Sequence, residues 1–413
     1  MTEELRATGN ASSLHTVGRR ARRIVEEARE QVAEAFGAGP SEVIFTSGGT
    51  EADNLAIKGL YWARRAEDPR RCRVLVSAVE HHAVLDAARW LGDVQEAEVV
   101  RLPVDAVGRV RVDAVRAVVE EDPATVALIS VMWANNEVGT IQPVRELAAI
   151  GARHGIPVHS DAVQAAAQVA VALADSGLDA ITLSAHKLGG PVGVGALLRR
   201  RGLALVPTAH GGGHESGLRS GTLDVAGIRG FAVAARSTVA ELAGQGPRLA
   251  VLRDALVAAV RAQVPDAVLR GDPEPGGRLP GNAHLTLPGC DADTLLYLLD
   301  ARAIACSTGS ACRAGVPEPS HVLQAMGLAS AEAAGALRFS FGWSSTPQDV
   351  QAVADAIGPV VARSRGAGTR VPATAAATPA ASPATAVAGE GHAEAFAVPG
   401  ELGEPTTPVG APR

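Results

Sequence analysis

The sequence lacks long apolar runs. Nowhere do about 20 consecutive apolar residues occur, which is the length that a helix needs to cross a bilayer. The first residues are polar and acidic, where a signal peptide would need an apolar stretch. We therefore expect a cytoplasmic protein that makes no contact with a membrane.

A strong excess of one charge is also lacking. The 413 residues include 38 basic and 44 acidic ones, which gives a formal net charge of −6, and aromatic residues make up only 3% of the chain. The basic cluster from Arg19 to Arg23 spans little more than one helical turn and is interpreted as a solvated face. Direct binding of nucleic acid therefore has no support from the sequence.

Cysteines are few. The four are Cys72, Cys290, Cys306 and Cys312, and they form neither a disulfide framework nor the paired CxxC spacing of a zinc site. No metal site is predicted. A single functional thiol is still compatible with this pattern.

What the sequence does contain is a regular alternation of short β-branched runs with helical segments. This alternation is typical of an α/β fold with a mainly parallel sheet, and we assign it to a large domain over residues 1–240. The strand-like runs are residues 42–46, 73–77, 98–102, 125–131, 157–160 and 180–184.

The C-terminal part has a different character. A long helical pattern that begins near Pro247 leads into mixed strand and helix signals, which predict a smaller α+β domain over residues 241–363. Beyond it Ala, Pro, Thr and Gly dominate without periodicity, so residues 364–413 are predicted to be a disordered tail.

A glycine-rich motif joins the first strand to a helix. Residues 46–51 read Thr-Ser-Gly-Gly-Thr-Glu. Glycines let backbone N–H groups approach an anion, and a helix N-terminus adds partial positive charge, so Gly49 and Thr50 are candidate phosphate ligands. An ordinary strand-to-helix turn capped by Thr50 explains the same residues equally well.

One lysine follows another predicted strand. Lys187 ends the sequence Ser-Ala-His-Lys, between an apolar run and a loop rich in Gly and Pro. Burial lowers the pKa of such an amine and suits it to Schiff-base chemistry, and Ser184 and His186 could contact the same phosphate as Thr50. A lone lysine is far more often a solvated surface charge, so its neighbours must decide.

Those neighbours are polar residues at two further strand ends. A buried Asp161 could keep a pyridine nitrogen protonated, Gln164 could donate to a phenolate oxygen, and His81 could stack on the ring. Taken singly, Asp161 is explained as a turn cap and His81 as an interior histidine. Because ligands of open α/β sheets bind at the carboxyl ends of strands, the four strand ends together indicate one binding site.

Eight segments of the sequence, taken in chain order, resemble the cysteine desulfurases of the NifS/IscS group. The resemblance covers residues 9–360 and implies the fold-type I, class-V-aminotransferase-like fold of transferases that depend on pyridoxal 5′-phosphate. The segments are FTSGGTEADNLAIKG, VEHHAVLD, NNEVGTIQP, SDAVQ, LSAHKLGGPVGVG, GGGHESGLRSGT, ACSTGSACRAGVPEPSHVLQAMG and LRFSFG.

The resemblance implies a role for each candidate residue. Lys187 would bind the cofactor covalently, with His81 stacked on the ring and Asp161 on its nitrogen. Arg338 would pair with the substrate carboxylate, a task that suits its two-pronged guanidinium. The other implied contacts are those of Asn136 and Gln164 to the ring oxygen or substrate, of Thr50, Ser184 and His186 to the phosphate beside Gly49, and of Thr222 to the phosphate of the partner subunit in a homodimer.

Cys312 would accept the sulfur. It lies in a loop of small residues, 307–315, that can carry a thiol to the ring and away. Its distance of six residues from Glu318 resembles the long-loop subgroup, which delivers sulfur to acceptor proteins. Arg313 beside it would favour the thiolate. Cys306, at the end of a predicted strand, is expected to be a packing thiol.

The predicted reaction converts L-cysteine to L-alanine and leaves a persulfide on Cys312. The sulfur would pass to an iron–sulfur scaffold protein or to a tRNA-thiolation enzyme. Two alternatives stay open. A related pyridoxal-phosphate lyase or aminotransferase would need no thiol at position 312. A poorly active sulfur-transfer scaffold would fit the absence, upstream of Gly9, of the Asp-Asn/Ala-Ala-Ala-Thr-Thr segment with which the family usually begins.

Overall fold

The computed structural model describes residues 1–7, 9–308 and 320–368 of the chain. These residues all belong to one compact unit, Met1–Val371. None of the described helices combines the length and the apolar character that a membrane span requires. The helices are α1 (Thr2–Leu5), α2 (Thr16–Ala35), α3 (Gly49–Glu67), α4 (His82–Gln95), α5 (Val112–Glu121), α6 (Val144–His154), α7 (Leu173–Ser176), α8 (Val225–Gln263), α9 (Ala292–Asp300), α10 (His321–Ala325), α11 (Ser330–Ala333) and α12 (Pro347–Gly368).

The larger of two sheets has seven strands. They are β1 (Val43–Thr46), β2 (Arg73–Ser77), β3 (Glu98–Leu102), β4 (Val126–Ser130), β5 (Val158–Asp161), β6 (Ala180–Ser184) and β7 (Gly195–Arg199). Their order is β1-β7-β6-β5-β4-β2-β3. Strand β7 pairs antiparallel with both β1 and β6, and every other described strand pair of this sheet is parallel. The predicted mainly parallel α/β fold is confirmed.

Strand β2 shows that the sheet is packed on both faces. Val74 and Val76 belong to a buried cluster with α3 and α4, whereas Leu75 between them belongs to a second cluster with α2, α6 and α8. Successive side chains of a strand point to opposite faces, so these two clusters lie on the two sides of the sheet. A sheet covered on both faces leaves its strand ends as the natural place for a site.

The smaller sheet has three antiparallel strands in the order β10-β9-β8. Leu285 and Leu337 face each other in register, and both are fully buried with Leu256 of α8 and Ile357 of α12. This second core holds the sheet against the C-terminal helices. Its strands are β8 (Val268–Arg270), β9 (Asn282–Thr286) and β10 (Ala336–Ser340).

The helix predicted to start near Pro247 begins much earlier. Helix α8 runs from Val225 to Gln263 with Pro247 inside it, and Asp224 caps its N-terminus by accepting a hydrogen bond from the Gly227 N–H. The predicted start is therefore wrong, because the sequence pattern took this proline for a first-turn residue. The domain boundary predicted at residue 240 falls inside the same helix.

The last helix also extends past the predicted start of the tail at residue 364. Ser364 is buried and its hydroxyl oxygen accepts a hydrogen bond from the Asp291 N–H. Arg365 pairs with Asp266 at 2.8 Å. These partners order residues that composition alone had placed in the tail. Residues 369–413 lie outside the described part of the chain.

Candidate active site

A cavity of about 390 Å³ opens at the carboxyl ends of the parallel strands. Residues that were predicted from four separate strand ends meet in its wall, together with one residue of the smaller sheet. The predicted residues that line it are Gly49, Thr50, His81, Asn136, Asp161, Gln164, Ser184, His186, Lys187 and Arg338.

The N-terminus of α3 faces this cavity. No described side chain caps the helix, so its first-turn N–H groups are available to an anion. Gly48, and not Thr50, occupies the cap position, which removes the alternative of an ordinary turn capped by Thr50. A Cβ added at Gly49 would lie 2.9 Å from Val163 Cγ2, so only glycine leaves this wall open. Ser184, hydrogen-bonded to His186 Nδ1 at 2.9 Å, lies beside Gly49.

Lys187 lies in a short 3₁₀ helix that directly follows β6. Partial burial lowers its pKa, the charge of Arg338 lowers it further, and Asp161 opposes both effects. An amine that loses its proton more readily is a better nucleophile. The sequence contains only one other lysine, Lys58, and that ammonium group lies 4.4 Å from the centroid of the Trp90 ring. Lys187 is therefore the one lysine that reaches the cavity.

Asp161 ends β5 and is buried. Its Oδ1 accepts a hydrogen bond from the Val163 N–H at 2.8 Å. Burial raises the pKa of Asp161 to about 6, and the Val163 N–H and Lys187 limit that rise. A buried carboxylate aimed into a cavity is suited to hold a positive ring nitrogen.

His81 caps α4 at the edge of the cavity. Its Nδ1 accepts a hydrogen bond from the Ala83 N–H at 3.1 Å, which leaves Nε2 to carry the proton of the neutral ring. Partial burial lowers the pKa of His81, and the neighbouring His82 lowers it further. The imidazole is therefore uncharged near neutral pH, and the residue lines the cavity.

Arg338 reaches the cavity from β10. Its Nη1 donates to the carbonyl oxygen of Asn136, while its buried Nε has no partner among the described residues. The neighbouring Glu137 is buried and accepts a hydrogen bond from the Ser320 hydroxyl. Burial raises the pKa of Glu137 to about 7, against the effects of Ser320 and Arg338. The guanidinium thus has an unused donor near the cavity.

Thr222 does not line the cavity and is exposed. Its loop is tied to the start of α3, because Arg219 pairs with Glu51 at 2.8 Å and Glu51 accepts a hydrogen bond from the Ser47 N–H at 2.7 Å. A contact of Thr222 with the phosphate of a partner subunit stays a prediction.

The predicted sulfur acceptor, Cys312, lies outside the described residues, as do Arg313 and Glu318. Cys306 is half-buried against the core of the smaller sheet, and burial raises the pKa of its thiol to about 11. It precedes an isolated bridge at Ser307 and does not end a strand as predicted, because a single pair of residues is too short for one.

Two buried acids near the cavity escaped the sequence analysis. Asp53 lines the cavity from α3, and Glu80 lies buried just before His81. Both fall inside the quoted segments, but neither stands at a strand end, so periodicity gave no signal for them. Only the folded chain brings them close to Asp161.

A wider cavity of about 750 Å³ lies on the other side of Lys187. Its lining comes largely from α8 and residues 341–343, and Lys187 is the only predicted site residue among the described residues around it. The smaller cavity, which gathers the acidic, amide and imidazole groups, is therefore the candidate active site.

Known proteins resemble this chain over most of its length. The aminotransferase class-V family model matches residues 1–353. An IscS-like cysteine desulfurase of Mycobacterium tuberculosis is 53% identical over 360 residues, 87% of this chain and 91% of that protein. Cysteine desulfurase IscS of Methanosarcina thermophila is 40% identical over 365 residues, 88% and 87% of the two chains. A solved NifS-like protein superposes with a TM-score of 0.78 at 34% identity, over 86% of this chain and 92% of that one.

The mainly parallel sheet and its match to NifS-like structures define the class-V aminotransferase fold. The chain belongs to the class-V aminotransferase family and, within it, to the cysteine desulfurases of the IscS and NifS group. The resemblance found in the sequence is thereby confirmed.

Proposed function

We propose that the chain is a cysteine desulfurase that uses pyridoxal 5′-phosphate, Lys187 and Cys312 to convert L-cysteine to L-alanine and a protein-bound persulfide. The observation that carries the proposal is the convergence of three features on one cavity. These are the uncapped N-terminus of α3, the buried carboxyl of Asp161 and the amine of Lys187.

The cavity fits the cofactor in chemistry and in size. Its volume of about 390 Å³ lies in the range of small-ligand pockets. The free N–H groups of α3, with Thr50, Ser184 and His186, would hold the phosphate. Asp161 would hold the ring nitrogen, Gln164 the ring oxygen, and His81 would stack on the ring. When bound, the cofactor supplies an electron sink for the carbon next to the substrate amine.

Lys187 has two tasks in this proposal. It would hold the cofactor covalently, and the lowered pKa of its amine favours the neutral form that such a bond requires. When free, the same amine would carry protons to and from the substrate carbon. Asp161 beside it balances the positive charge in the buried region.

Arg338 would bind the substrate carboxylate. Its Nη1 is held by the Asn136 carbonyl, and its side chain lines the cavity and supplies a positive charge there. A carboxylate that accepts from guanidinium receives short, charge-assisted hydrogen bonds. This contact would fix the orientation of the amino acid in the site.

Cys312 would take the sulfur. The described residues on each side of its loop are anchored at the cavity wall, since the backbone of Ser307 pairs with Arg338 and the hydroxyl of Ser320 donates to Glu137. Cys312 follows Thr308 by only four residues in the sequence. These contacts of the flanking residues support the proposal that the Cys312 thiol reacts at this cavity.

The sulfur-transfer step balances in atoms and electrons. The Cys312 thiolate would attack the substrate sulfur, so that an S–S bond forms as the substrate C–S bond breaks. The electron pair of that bond stays with the substrate fragment, where the bound cofactor would supply the electron sink, and a proton from the Lys187 amine would complete L-alanine. The persulfide then passes its outer sulfur to an acceptor, which we propose to be an iron–sulfur scaffold or a tRNA-thiolation enzyme in the cytoplasm.

A homodimer is part of the proposal. Thr222 lies exposed on a loop fixed to the start of α3, where it could reach a partner's phosphate site. Large apolar side chains exposed on the described surface, including Val192, Val233 and Trp343, favour an interface. Analytical ultracentrifugation would test this directly.

One experiment tests the function as a whole. Purified protein loaded with pyridoxal 5′-phosphate is given L-cysteine and a thiol reductant, and alanine and sulfide are measured together with the visible absorbance of the bound cofactor. We expect a visible band and equal amounts of the two products. A band without alanine would indicate a non-catalytic scaffold, and turnover that a Cys312→Ser variant retains would indicate another lyase.

A further inference from the structure

A second carboxyl group lies beside Asp161 in the cavity wall. Asp53 of α3 is 1% exposed, and its Oδ1 accepts no hydrogen bond from any described residue. Burial and the charge of Asp161 both raise its pKa, and the Thr182 hydroxyl lowers it. A buried carboxylate with an unpaired oxygen is costly, and a proton removes most of that cost. The surroundings of Asp53 therefore favour its neutral form.

A short chain of buried hydrogen bonds lies beside Asp53. Ser130 Oγ lies 2.9 Å from His159 Nδ1, and His159 Nε2 lies 3.0 Å from Thr182 Oγ1. His159 Nε2 is also 3.7 Å from Asp53 Oδ1, which is too far for a hydrogen bond. Burial lowers the pKa of His159 to about 3, so the ring is neutral. The chain thus brings no positive charge to Asp53.

A third acid faces the same region. Glu80 accepts hydrogen bonds through Oε1 from the Ser77 hydroxyl at 2.6 Å and from the Met132 N–H at 2.7 Å. Its Oε2 has no partner within the described part of the chain. Burial, with a further contribution from Asp161, raises the pKa of Glu80 to about 8. Glu80 is therefore mostly protonated at neutral pH.

The charges in this region decide which acid ionises. The groups that act on Asp53 are Asp161, Glu80 and the neutral His159, and the nearby cation is Lys187, which acts on Asp161. One ammonium group can balance one carboxylate. Asp161 has both that ammonium and a backbone donor, whereas Asp53 Oδ1 accepts no hydrogen bond from the described residues. Asp161 is therefore the acid that ionises first.

We propose that Asp53 is a positioning residue for Asp161: it keeps a buried proton beside Asp161, so that Asp161 is the carboxylate presented to the cavity. A charged Asp53 would do the opposite, because like charge would push a proton onto Asp161 and remove its ability to hold a positive ring nitrogen. The inference rests on the proposed function in one respect, the identity of the group that Asp161 faces. Its test uses the protein without cofactor.

Infrared difference spectroscopy of the apoprotein tests the proton directly. Near neutral pH, wild type should show carbonyl-stretch bands of protonated carboxylic acids. Asp53→Asn should lose one band, and Glu80→Gln should lose a different one. Thr182→Val, which removes a polar neighbour but keeps the acid, should shift the Asp53 band and not abolish it. A wild-type spectrum without such a band, or a D53N spectrum that keeps every band, would overturn the proposal.

Stability against pH gives a second readout. An acid whose folded pKa is raised contributes its full stability below the unfolded pKa and loses it as pH rises toward the folded pKa. The melting temperature of the wild-type apoprotein should therefore fall as pH rises above about 4, the unfolded pKa of an Asp carboxyl, and the fall should be shallower in D53N. Parallel curves would contradict a proton on Asp53. The cofactor affinity of Asp161→Asn is measured separately: full affinity in that variant would refute the proposed role of Asp161 and leave the infrared result standing.

Discussion

Arg338 and Asn136 connect the two sheets at the cavity. Arg338 Nη1 donates to the Asn136 carbonyl oxygen over 2.8 Å, which joins β10 of the smaller sheet to the segment after β4 of the larger one. The contact fixes one edge of the guanidinium from the protein side. The position of the smaller sheet therefore determines where a substrate carboxylate would bind.

Replacing Arg338 with Lys keeps the positive charge but removes the planar fork. We expect the KM for L-cysteine to rise by about 10- to 100-fold, the cost of one lost charge-assisted hydrogen bond, with a smaller change in kcat. Steady-state kinetics measure both constants. Arg270→Lys is a matched control on the same sheet, since the Arg270 side chain bonds Thr286 and does not line the cavity. An unchanged KM in R338K would contradict the assignment.

Replacing Lys187 with Ala should abolish the visible absorbance that arises from covalently bound cofactor, because no other lysine reaches the cavity. Borohydride reduction of wild type followed by peptide mapping should tag Lys187. Lys58→Ala is the control and should keep the band, since Lys58 lies against Trp90. A cofactor adduct on Lys58 would refute the assignment.

Elements with strong local patterns were predictable from the sequence. Strands β2, β3 and β6 have the predicted bounds, because apolar periodicity and flanking turn residues are local signals. The strand ends that carry Asp161 and Lys187 followed from the same signals. Features that depend on long-range packing have no such local signal in the sequence. Strand β7 was not predicted, since it has one glycine just before its start and another at its first position. The continuity of α8 through Pro247 depends on the two cores that the helix joins.

The role of Asp53 shows the same limit at the site. Nothing in the local sequence separates it from an ordinary helix-surface acid. Its burial and its contact with Thr182 arise only when α3 packs on the ends of β5 and β6. The family resemblance identifies residues within matching motifs. The charge balance among Asp53, Glu80 and Asp161 is visible only in the folded structure.

Glu137 should give the protein a measurable pH dependence. Burial raises its folded pKa to about 7, so its stabilising contribution is complete below the unfolded pKa of about 4.3 and is lost as pH rises toward 7. Denaturant unfolding of the apoprotein at several pH values should show a shallower fall in Glu137→Gln than in wild type. Glu120→Gln, at an exposed position, should follow the wild-type curve. A wild-type slope in E137Q would contradict a proton on Glu137.

Ending the chain after Gly368 should change the melting temperature by less than about 2 °C and leave activity nearly intact, because the removed sequence has no periodic apolar face. Ending it after Arg363 is the matched comparison and should lower the melting temperature clearly, since Ser364 and Arg365 lose their bonds to Asp291 and Asp266. A large loss of stability or activity in the first truncation would show that the tail packs on the protein.

The site of sulfur transfer is the central claim, and mass spectrometry of cysteine-treated, cofactor-loaded protein tests it most directly. We predict a persulfide on Cys312 and none on Cys306, whose thiol pKa is raised by burial. Cys312→Ser should keep the cofactor band and bind L-cysteine but release almost no alanine, whereas Cys306→Ser should keep most of the activity. A persulfide on Cys306, or substantial turnover by C312S, would contradict the mechanism.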